Sequence, residues 1–305
     1  MSKVLITGGA GFIGSHIVDK CIENGYNVSI VDNLSTGKKE FINRNAKFYH
    51  IDICEEEICS VIKREQPDVI IHHAAQIDVQ ASLKNPLFDA QVNVLGTINL
   101  LKAAVENNVQ RIIYASSAAA YGVPQYIPID ENHRKEPISF YGFSKYAPEY
   151  YIRMFANLYG IEYVILRYAN VYGIRQDPKG EGGVISIFTD KVIKEEPFIV
   201  FGDGMQTRDF IYVDDVAEAN ALAITCLKNQ TFNISTATTT TILELIDMFK
   251  KVSGQKIDVI HKEERKGDIL HSCLDNSHAI QFLRWKPNFS LFNGLKNTYD
   301  YYSAR

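Results

Sequence analysis

Short apolar runs alternate with longer amphipathic stretches from the N-terminus of the chain to about Arg167. The runs are rich in β-branched residues and apolar at successive positions, as is typical of strands that are covered on both faces. Strands and helices that alternate in this way form a parallel sheet with helices on both sides. We therefore predict an α/β fold with strands at residues 4–6, 28–31, 47–51, 69–72, 111–115 and 163–167.

Several helix boundaries are marked by residues that cap exposed backbone groups. Asn85 and Pro86 predict the cap and the first turn of a long helical stretch. Gly25 predicts the end of the first helix. Thr241 is followed three residues later by Glu244, a spacing that predicts a capping box at the start of a later helix.

The pattern changes after Tyr172, where glycine-rich turns at residues 180–183 and 202–204 are followed by shorter helices and strands. A chain of 305 residues can form one large unit or a domain with a smaller partner. We predict a larger domain at residues 1–172 and a smaller α/β domain at residues 173–305, with segments free to cross back between them.

Composition excludes several classes of protein. The formal net charge is −4 and no basic stripe is present, which argues against a nucleic-acid partner. The five cysteines lack CxxC pairs, so we expect neither a metal site nor a disulfide framework, and a reducing cytoplasm fits best. We expect no export signal, because the N-terminus runs directly into a predicted strand without a basic region and a long apolar segment, and no membrane span, because no apolar stretch approaches about 18 residues.

The segment VLITGGAGFIGSHIVD places Gly8, Gly11 and Gly14 where the first strand meets the first helix. Without side chains the backbone can turn tightly there and approach a pyrophosphate at the helix N-terminus. The spacing is GxxGxxG, and such glycines also occur in plain strand-to-helix turns. Asp32 ends the second strand, where a carboxylate accepts both hydroxyls of an adenosine ribose and repels a 2′-phosphate. The pattern therefore favours NAD over NADP.

Asp52 follows the third predicted strand and has two interpretations. Its carboxylate could accept the adenine amino group of the same cofactor. As an aspartate before an acidic helical run, it could equally be the N-cap of the next helix.

Tyr141 and Lys145 in SFYGFSKY lie one turn apart on a predicted helix and share a face. In a chain with 17 tyrosines, a YxxxK match also arises by chance. Position adds the stronger argument, because the fifth strand ends in YASSAAAYG and puts Ser116 and Ser117 at the carboxyl edge of the sheet. Ligands of open α/β folds bind at that edge, and the YxxxK helix comes next.

Serine, tyrosine and lysine suit the oxidation of a secondary alcohol, which needs a base for the hydroxyl proton. A tyrosine with an ordinary pKa of about 10 must be made more acidic by about 3 pH units, or about 4 kcal/mol. One cation at about 4 Å with an effective dielectric near 20 supplies about that much. Lys145 and an oxidised nicotinamide are two such cations, and Ser117 would hold the same oxygen by a hydrogen bond.

The chain resembles the extended short-chain dehydrogenase/reductase family, most closely its UDP-glucose 4-epimerase branch. The motifs that carry the resemblance follow in order as TGGAGFIG, VDNLSTG, HHAAQ, VNVLGT, SSAAAYG, YGFSK, LRYANVYG, FGDGMQTRDFIYVDDVA and RKGD. The resemblance implies a Rossmann-type doubly wound parallel sheet with a smaller substrate-binding domain. It also implies NAD-dependent C4 epimerisation of UDP-hexoses through a 4-keto sugar, by a homodimer packed through helices around residues 90–106 and 141–159.

The same resemblance implies roles for individual residues. Catalysis falls to Tyr141, Lys145 and Ser117, the last chosen over Ser116 because it stands four places before Tyr121. The implied NAD site comprises Gly8, Gly11, Phe12, Ile13, Asp32, Asn33, Ser35, Thr36, Gly37, Asp52, Ile53, Ala74, Ala75, Gln76, Asn93, Ser116, Tyr141, Lys145 and Tyr168. The implied UDP-sugar site comprises Ser117, Asn170, Val184, Phe201, Arg208, Arg265, Asp268 and Ser272.

Guanidinium groups bind diphosphate oxygens bidentately, which fits Arg208 and Arg265; the alternative for each is an ordinary ion pair. Sugar-nucleotide dehydratases that resemble the chain carry an Asp-Glu pair after the catalytic hydroxyl residue. Here Ala118 and Ala119 stand in those places, and alanine can act neither as acid nor as base. Elimination of water is thereby disfavoured, and transfer of hydride remains.

Ser272 is a small residue at a position where family members differ in bulk, so we predict tolerance of N-acetylhexosamines. Ile77 replaces a lysine that lies near the hexose in some epimerases. Two alternatives stay open: another nucleotide-sugar oxidoreductase or epimerase of the family, and a non-catalytic NAD-binding regulator. The regulator is disfavoured because Tyr141 and Lys145 are both present.

Overall fold

A computed structural model describes residues 2–178, 183–264 and 269–304 of the chain. Its strands are β1 (Lys3–Thr7), β2 (Asn27–Asp32), β3 (Lys47–His50), β4 (Val69–His72), β5 (Arg111–Ser117), β6 (Glu162–Tyr168), β7 (Asn170–Tyr172), β8 (Phe198–Phe201), β9 (Thr207–Arg208), β10 (Phe210–Tyr212), β11 (Gln230–Ile234), β12 (Thr240–Thr241) and β13 (Val259–Lys262). Its α-helices are α1 (Phe12–Glu23), α2 (Glu57–Glu65), α3 (Val79–Lys84), α4 (Pro86–Ala90), α5 (Gly96–Glu106), α6 (Phe140–Tyr159), α7 (Val184–Ile193), α8 (Val213–Ala223), α9 (Ile242–Ser253) and α10 (Leu291–Ser303).

Seven parallel strands form the central sheet in the order β11-β6-β5-β4-β1-β2-β3. The six predicted strands are all present, and the α/β prediction is confirmed. The strand order reverses between β1 and β4, where Thr7 pairs with His72 at the carboxyl ends of both strands. Ligands of doubly wound sheets bind at this kind of switch point.

Both faces of the central sheet are buried, which explains why its strands are apolar at successive positions. In β1, Val4 and Ile6 pack in one core with residues of α1 and α8, while Leu5 faces a second core with α2, α5 and α6. A third core lies between α7, α9 and β8, where the rings of Phe188 and Phe198 stack with centroids 4.1 Å apart.

The strand β11 was not among the predicted strands. It comes after β8 in the chain, and β8 belongs to the third core. It nevertheless pairs with β6 as the seventh strand of the central sheet. Residues 230–234 therefore return from the smaller core to the larger sheet. Within the described ranges, no helix is long and apolar enough to cross a bilayer.

The predicted helix signals are present in the structure. The Asn85 side chain accepts a hydrogen bond from the Phe88 amide, and Thr241 forms a capping box with Glu244 at the start of α9. The long helical stretch after Asn85 is interrupted, because a π-helical turn at residues 91–95 separates α4 from α5. Such turns often occur at functional sites, and this one carries Asn93.

Candidate active site

A crevice of about 620 Å³ opens at the carboxyl ends of the central strands, at the switch point between β1 and β4. Its walls come from the loops after β1, β2, β4 and β5 and from the start of α6. A second cavity of about 200 Å³ lies beside β8 and α7. Asn170, Gln176 and Arg208 line both cavities, so the two spaces adjoin.

The loop after β1 passes very close to neighbouring backbone. Gly8 has a φ of +71°, and a Cβ placed on it would lie 2.7 Å from the amide nitrogen of Ala74. A Cβ on Gly14 would lie 2.0 Å from the carbonyl oxygen of Gly8. Gly11 and Phe12, at the start of α1, line the crevice, and Gly11 places no side-chain cap over the helix N-terminus. This cradle fits a diphosphate.

The Asp32 carboxylate at the end of β2 is buried, with 7% of the residue exposed. Its Oδ2 accepts a hydrogen bond from the amide of Ala10 at 2.9 Å, and its Oδ1 accepts one from Leu34 at 2.8 Å. Burial raises the pKa of Asp32, and these two hydrogen bonds oppose that effect. A carboxylate anchored beside the glycine loop in this way fits the ribose of an adenine dinucleotide.

Asp52 lines the crevice beside Asn33, whose Nδ2 donates to the Asp52 Oδ2 at 2.7 Å. The N-cap of α2 is Glu56, so the interpretation of Asp52 as that helix cap is wrong. Burial acts to raise the pKa of Asp52, but hydrogen bonds from Cys54 and Asn33 outweigh it and leave the pKa below its ordinary value. Asp52 is therefore a stable carboxylate in the wall of the crevice, beside Asn33.

The helix α6 carries Tyr141 and Lys145 into the site, and two serines hold its first turn. The Ser139 Oγ accepts a hydrogen bond from the Gly142 amide at 3.0 Å. The Ser82 Oγ, which comes from α3, accepts one from the Tyr141 amide at 3.2 Å. Tyr141 lines the crevice, whereas Lys145 lies one turn deeper and is 5% exposed. Two elements therefore fix the position of Tyr141.

Lys145 is a buried cation in aromatic surroundings. Its Nζ lies 4.7 Å from the centre of the Tyr114 ring. Burial lowers the pKa of Lys145 to about 8, while the charges of Asp89 and Glu149 act in the opposite direction. The ammonium form is therefore present at neutral pH and begins to be lost just above it.

The two serines at the end of β5 have different partners. The Ser116 Oγ donates to the Glu149 Oε1 at 2.7 Å, inside the protein. The Ser117 Oγ accepts from the Ala119 amide at 3.1 Å and lies in the wall of the crevice. Both serines line the crevice, but the Ser116 hydroxyl donates its hydrogen to Glu149, so Ser117 is the one whose hydroxyl is better placed to donate to a ligand.

A neutral polar cluster at the base of the crevice was not predicted from the sequence. His73 Nε2 lies 3.0 Å from the Tyr168 hydroxyl, which also contacts the buried amide of Asn220. Burial lowers the pKa of His73 to about 3, and the nearby charge of Lys145 adds to this effect. The sequence signal for His73 was its place directly after β4, at the same sheet edge as Ser117.

On the opposite side of the crevice, the Asn170 Nδ2 donates to the Asp209 carbonyl oxygen at 2.9 Å. Arg208 is half-buried, and its Nη1 donates to the carbonyl oxygens of Thr207 and Leu270 at 2.9 and 3.3 Å. The guanidinium is thereby held at the junction of the two cavities. Ser272 lines the larger cavity.

The structure brings most of the predicted site residues into one place. Those that line the crevice are Gly8, Gly11, Phe12, Ile13, Asp32, Asn33, Ser35, Thr36, Asp52, Ile53, Ala74, Ala75, Ser116, Ser117, Tyr141, Tyr168, Asn170, Arg208 and Ser272. Val184 and Phe201 line the smaller cavity, whereas Gly37, Gln76, Asn93 and Lys145 are not among the residues that line either cavity. Arg265 and Asp268 fall outside the described residues.

Gln176 was also missed by sequence reasoning. It lines both cavities, is 5% exposed, and its Oε1 has no hydrogen-bond partner in the described part of the chain. It sits in an irregular loop without periodicity, which leaves no sequence signal for its role. In the described ranges, no three His, Cys, Asp or Glu side chains are grouped closely enough to hold a metal ion.

Comparisons with known proteins point to one family. A model of the NAD dependent epimerase/dehydratase family matches residues 4–235. A putative UDP-glucose 4-epimerase of Methanocaldococcus jannaschii is 50% identical over 299 residues, which cover 98% of this chain and 97% of the relative.

Two solved structures show the same fold. A UDP-glucose 4-epimerase of Thermotoga maritima with UDP-glucose superposes with a TM-score of 0.97 at 45% identity and covers 99% of both chains. A UDP-N-acetylglucosamine 4-epimerase of Methanobrevibacter ruminantium, in complex with UDP-N-acetylmuramic acid, has a TM-score of 0.95 at 36% identity and covers 99% of this chain and 98% of its own. The Rossmann-type architecture is thus confirmed, and the chain belongs to the NAD dependent epimerase/dehydratase family.

Proposed function

We propose that the protein epimerises UDP-hexoses at C4 in an NAD-dependent reaction. One observation carries this proposal: Tyr141 lines the crevice one helical turn from the buried Lys145, and Ser117 at the end of β5 lines the same crevice. The high identity to UDP-glucose 4-epimerases over nearly the whole chain supports the same activity.

The cradle at Gly8, Gly11 and Gly14 would hold the pyrophosphate of NAD, and Asp32 would hold its adenosine ribose. Tyr168, which lines the same crevice, would also contact the bound NAD. When bound, NAD supplies an acceptor and donor of hydride for C4 of the sugar. The buried carboxylate of Asp32 disfavours a 2′-phosphate, so NAD is the form we propose.

The protein's own groups handle the proton. Tyr141 would take the proton of the C4 hydroxyl as hydride leaves C4, and it would return that proton when hydride returns to the opposite face of the 4-keto sugar. Lys145 stabilises the phenolate by its charge, and Ser117 donates a hydrogen bond to the same oxygen. Ala118 and Ala119 line the crevice and offer no further acid or base, so the sugar keeps all its hydroxyls.

We assign the nucleotide part of the substrate to the second cavity and to its junction with the crevice. Arg208 would bind the diphosphate at the junction, with Asn170 beside it, while Val184 and Phe201 would bound the uridine. Arg265 and Asp268, implied by the family pattern, complete the proposed set. We extend the proposal to a role in galactose metabolism and to a cytoplasmic location.

The proposal is tested by purifying the protein, extracting bound NAD(H), and incubating the protein with UDP-galactose. UDP-glucose should form, and a tritium label at C4 should stay in the sugar, because hydride returns to the same carbon. Loss of the label to solvent or to free NADH would indicate a net oxidoreductase. Bound NAD without interconversion would indicate a non-catalytic regulator.

Ser272 is predicted to admit N-acetylhexosamines because it is small and lines the crevice. We expect Ser272→Tyr to lower kcat/KM for UDP-N-acetylglucosamine about 10- to 100-fold more than for UDP-glucose, since the ring occupies space that the acetyl group needs. Ser272→Ala is the matched control and should keep the ratio of the two substrates. An unchanged ratio in Ser272→Tyr would exclude a gating role.

We also propose that the protein is a homodimer packed through α4, α5 and α6. α4, α6 and the π-helical turn before α5 expose large apolar side chains that a monomer would leave in water, including Leu87 at 82%, Leu95 at 59%, Phe143 at 60%, Met154 at 55% and Leu158 at 68%. α5 and α6 pack against each other, so two copies related by a twofold axis would bury this surface as a four-helix arrangement.

Leu158→Glu is expected to weaken this dimer at least about 10-fold, because the interface would bury an unpaired charge. Sedimentation equilibrium should then show the 34.5 kDa monomer at concentrations where the wild type shows twice that mass. Leu227→Glu is the control, since Leu227 is similarly exposed at 60% but lies after α8. A Leu158→Glu protein that sediments like the wild type would rule out this interface.

A further inference from the structure

Asp89 is a carboxylate buried inside α4, with 1% of the residue exposed. In residues 2–178, 183–264 and 269–304, no lysine or arginine nitrogen lies within 4.0 Å of it. A buried charge is costly unless it is hydrogen-bonded and faces an opposite charge. The surroundings of Asp89 therefore indicate what this carboxylate does.

The hydrogen bonds of Asp89 lead towards the catalytic helix. Its Oδ1 accepts from the Gln76 Nε2 at 2.6 Å and from the Asn93 Nδ2 at 3.3 Å. Asn93, in the π-helical turn, also donates to the Ser144 Oγ at 2.9 Å. Ser144 in turn donates to the carbonyl oxygen of Tyr141 at 3.1 Å. A continuous polar chain thus joins Asp89 to the turn of α6 that carries Tyr141 and Lys145.

Lys145 lies on α6, the helix against which α4 packs, and it is the buried cation on which the charge of Asp89 acts. The two carboxylates that favour its charged form are Asp89, from α4, and Glu149, from α6 itself. Glu149 already binds Arg167 at 2.6 Å and Arg153 at 3.3 Å, so guanidinium groups neutralise its charge. Asp89 has no such guanidinium partner in the described structure, so its carboxylate is not shared with an arginine.

The other groups packed near Lys145 do not supply a negative charge. From β4 and the loop after it come His72 and His73, whose pKa values are lowered by burial, so both are neutral. From β5 comes Tyr114, whose pKa is raised by burial. Tyr141 shares the helix. Of these groups only Tyr141 is proposed to become charged during the reaction, so none of them replaces the carboxylate of Asp89.

We propose that Asp89 is a positioning residue: it supplies a buried counter-charge to Lys145 from the adjoining helix α4 and, through Asn93 and Ser144, holds the first turns of α6 in place. This inference rests on the proposed function, because it assigns Asp89 to the proton-transfer machinery of that reaction. Asp89 does not touch the crevice and acts only through Lys145 and α6.

Asp89→Asn tests the charge with little change in shape, since the amide oxygen can still accept from Gln76 and Asn93. Removal of the negative charge should lower the pKa of Lys145 from its value of about 8. The alkaline limb of the kcat–pH profile should then move to lower pH by about 1 unit, so that the loss of activity is roughly tenfold near that limb and smaller at lower pH. KM and bound NAD should stay unchanged.

Two further variants make this readout specific. Asp89→Glu restores the charge, and its alkaline limb should lie at the wild-type position even where its kcat is lower. Asp78→Asn removes a carboxylate that caps α3 and does not act on Lys145, so its profile should match the wild type. An equal fall in kcat at every pH in Asp89→Asn would show a merely structural role and overturn the proposal.

A thermal double-mutant cycle tests the same pairing without activity. If Asp89 and Lys145 interact, the Tm loss caused by Asp89→Asn should be smaller in a Lys145→Met background than in the wild type. Additive Tm losses would contradict the pairing. A wild-type protein inactive on UDP-galactose would refute the proposed function, whereas an active Asp89→Asn protein with an unmoved alkaline limb refutes only the role of Asp89.

Discussion

Tyr141→Phe is expected to lower kcat about 10²- to 10⁴-fold and to leave NAD content and KM close to wild type. Phenylalanine keeps the ring that lines the crevice but removes the oxygen that exchanges the C4 proton. The amide of Tyr141 still donates to Ser82, so the start of α6 should keep its position. The measurement is conversion of UDP-galactose to UDP-glucose under saturating substrate.

Tyr146→Phe is the matched control for this variant. Tyr146 lies on the same helix, and its hydroxyl is 2.9 Å from that of Tyr150, away from the crevice lining. The control should keep nearly full turnover because it removes the same atom from the surface of the helix. A near-normal kcat in Tyr141→Phe would contradict the assignment of Tyr141 as the residue that exchanges the proton, whatever the control shows.

Gly8→Ala is expected to abolish NAD retention and to destabilise the protein by several kcal/mol. Alanine at a φ of +71° is strained by about 1 to 2 kcal/mol, and its Cβ would also lie 2.7 Å from the Ala74 amide nitrogen. That neighbour is backbone and cannot rotate away, so the loops after β1 and β4 must separate. The pyrophosphate cradle would then widen, and the purified protein should contain no NAD(H).

Gly25→Ala separates the backbone strain from the close contact. Gly25 has a similar φ of +81°, but a Cβ there would meet no atom within 4 Å. This variant should lose about 1 to 2 kcal/mol of unfolding free energy and keep its cofactor. If Gly8→Ala and Gly25→Ala show equal losses in Tm and equal NAD content, the close approach of the two loops does not govern cofactor binding.

Local signals in the sequence were sufficient for most secondary structure of the central sheet. Five of the six predicted strands have runs of apolar residues that are buried on both faces of the sheet, whereas β3, at the sheet edge, is only partly buried. The caps at Asn85 and Thr241 form because each side-chain oxygen accepts a hydrogen bond from a backbone amide three residues later, which has no partner within the helix. Such effects act over short stretches of chain and are readable from composition and spacing.

Other features depended on groups that are distant in the sequence. β11 joins the central sheet by pairing with β6, which lies more than 60 residues earlier in the chain. No local sequence pattern indicates that the two strands pair. The π-helical turn at residues 91–95 interrupts a stretch that reads as one helix, and it turns Asn93 towards Gln76 and Ser144. Arg265 and Asp268 stay predictions, since they lie outside the described residues.

The sequence by itself determined the parallel sheet, the glycine loop, and the residue types at its carboxyl edge, because periodicity and backbone sterics act locally. Only the tertiary structure decided which serine hydroxyl is left for a ligand and which charged side chains lie near each other. It directs Ser116 to Glu149 and leaves Ser117 at the crevice, and it buries Asp89 and Lys145 in adjoining helices. The physical reason is that burial and charge depend on what packs around a group, which spacing along the chain does not specify.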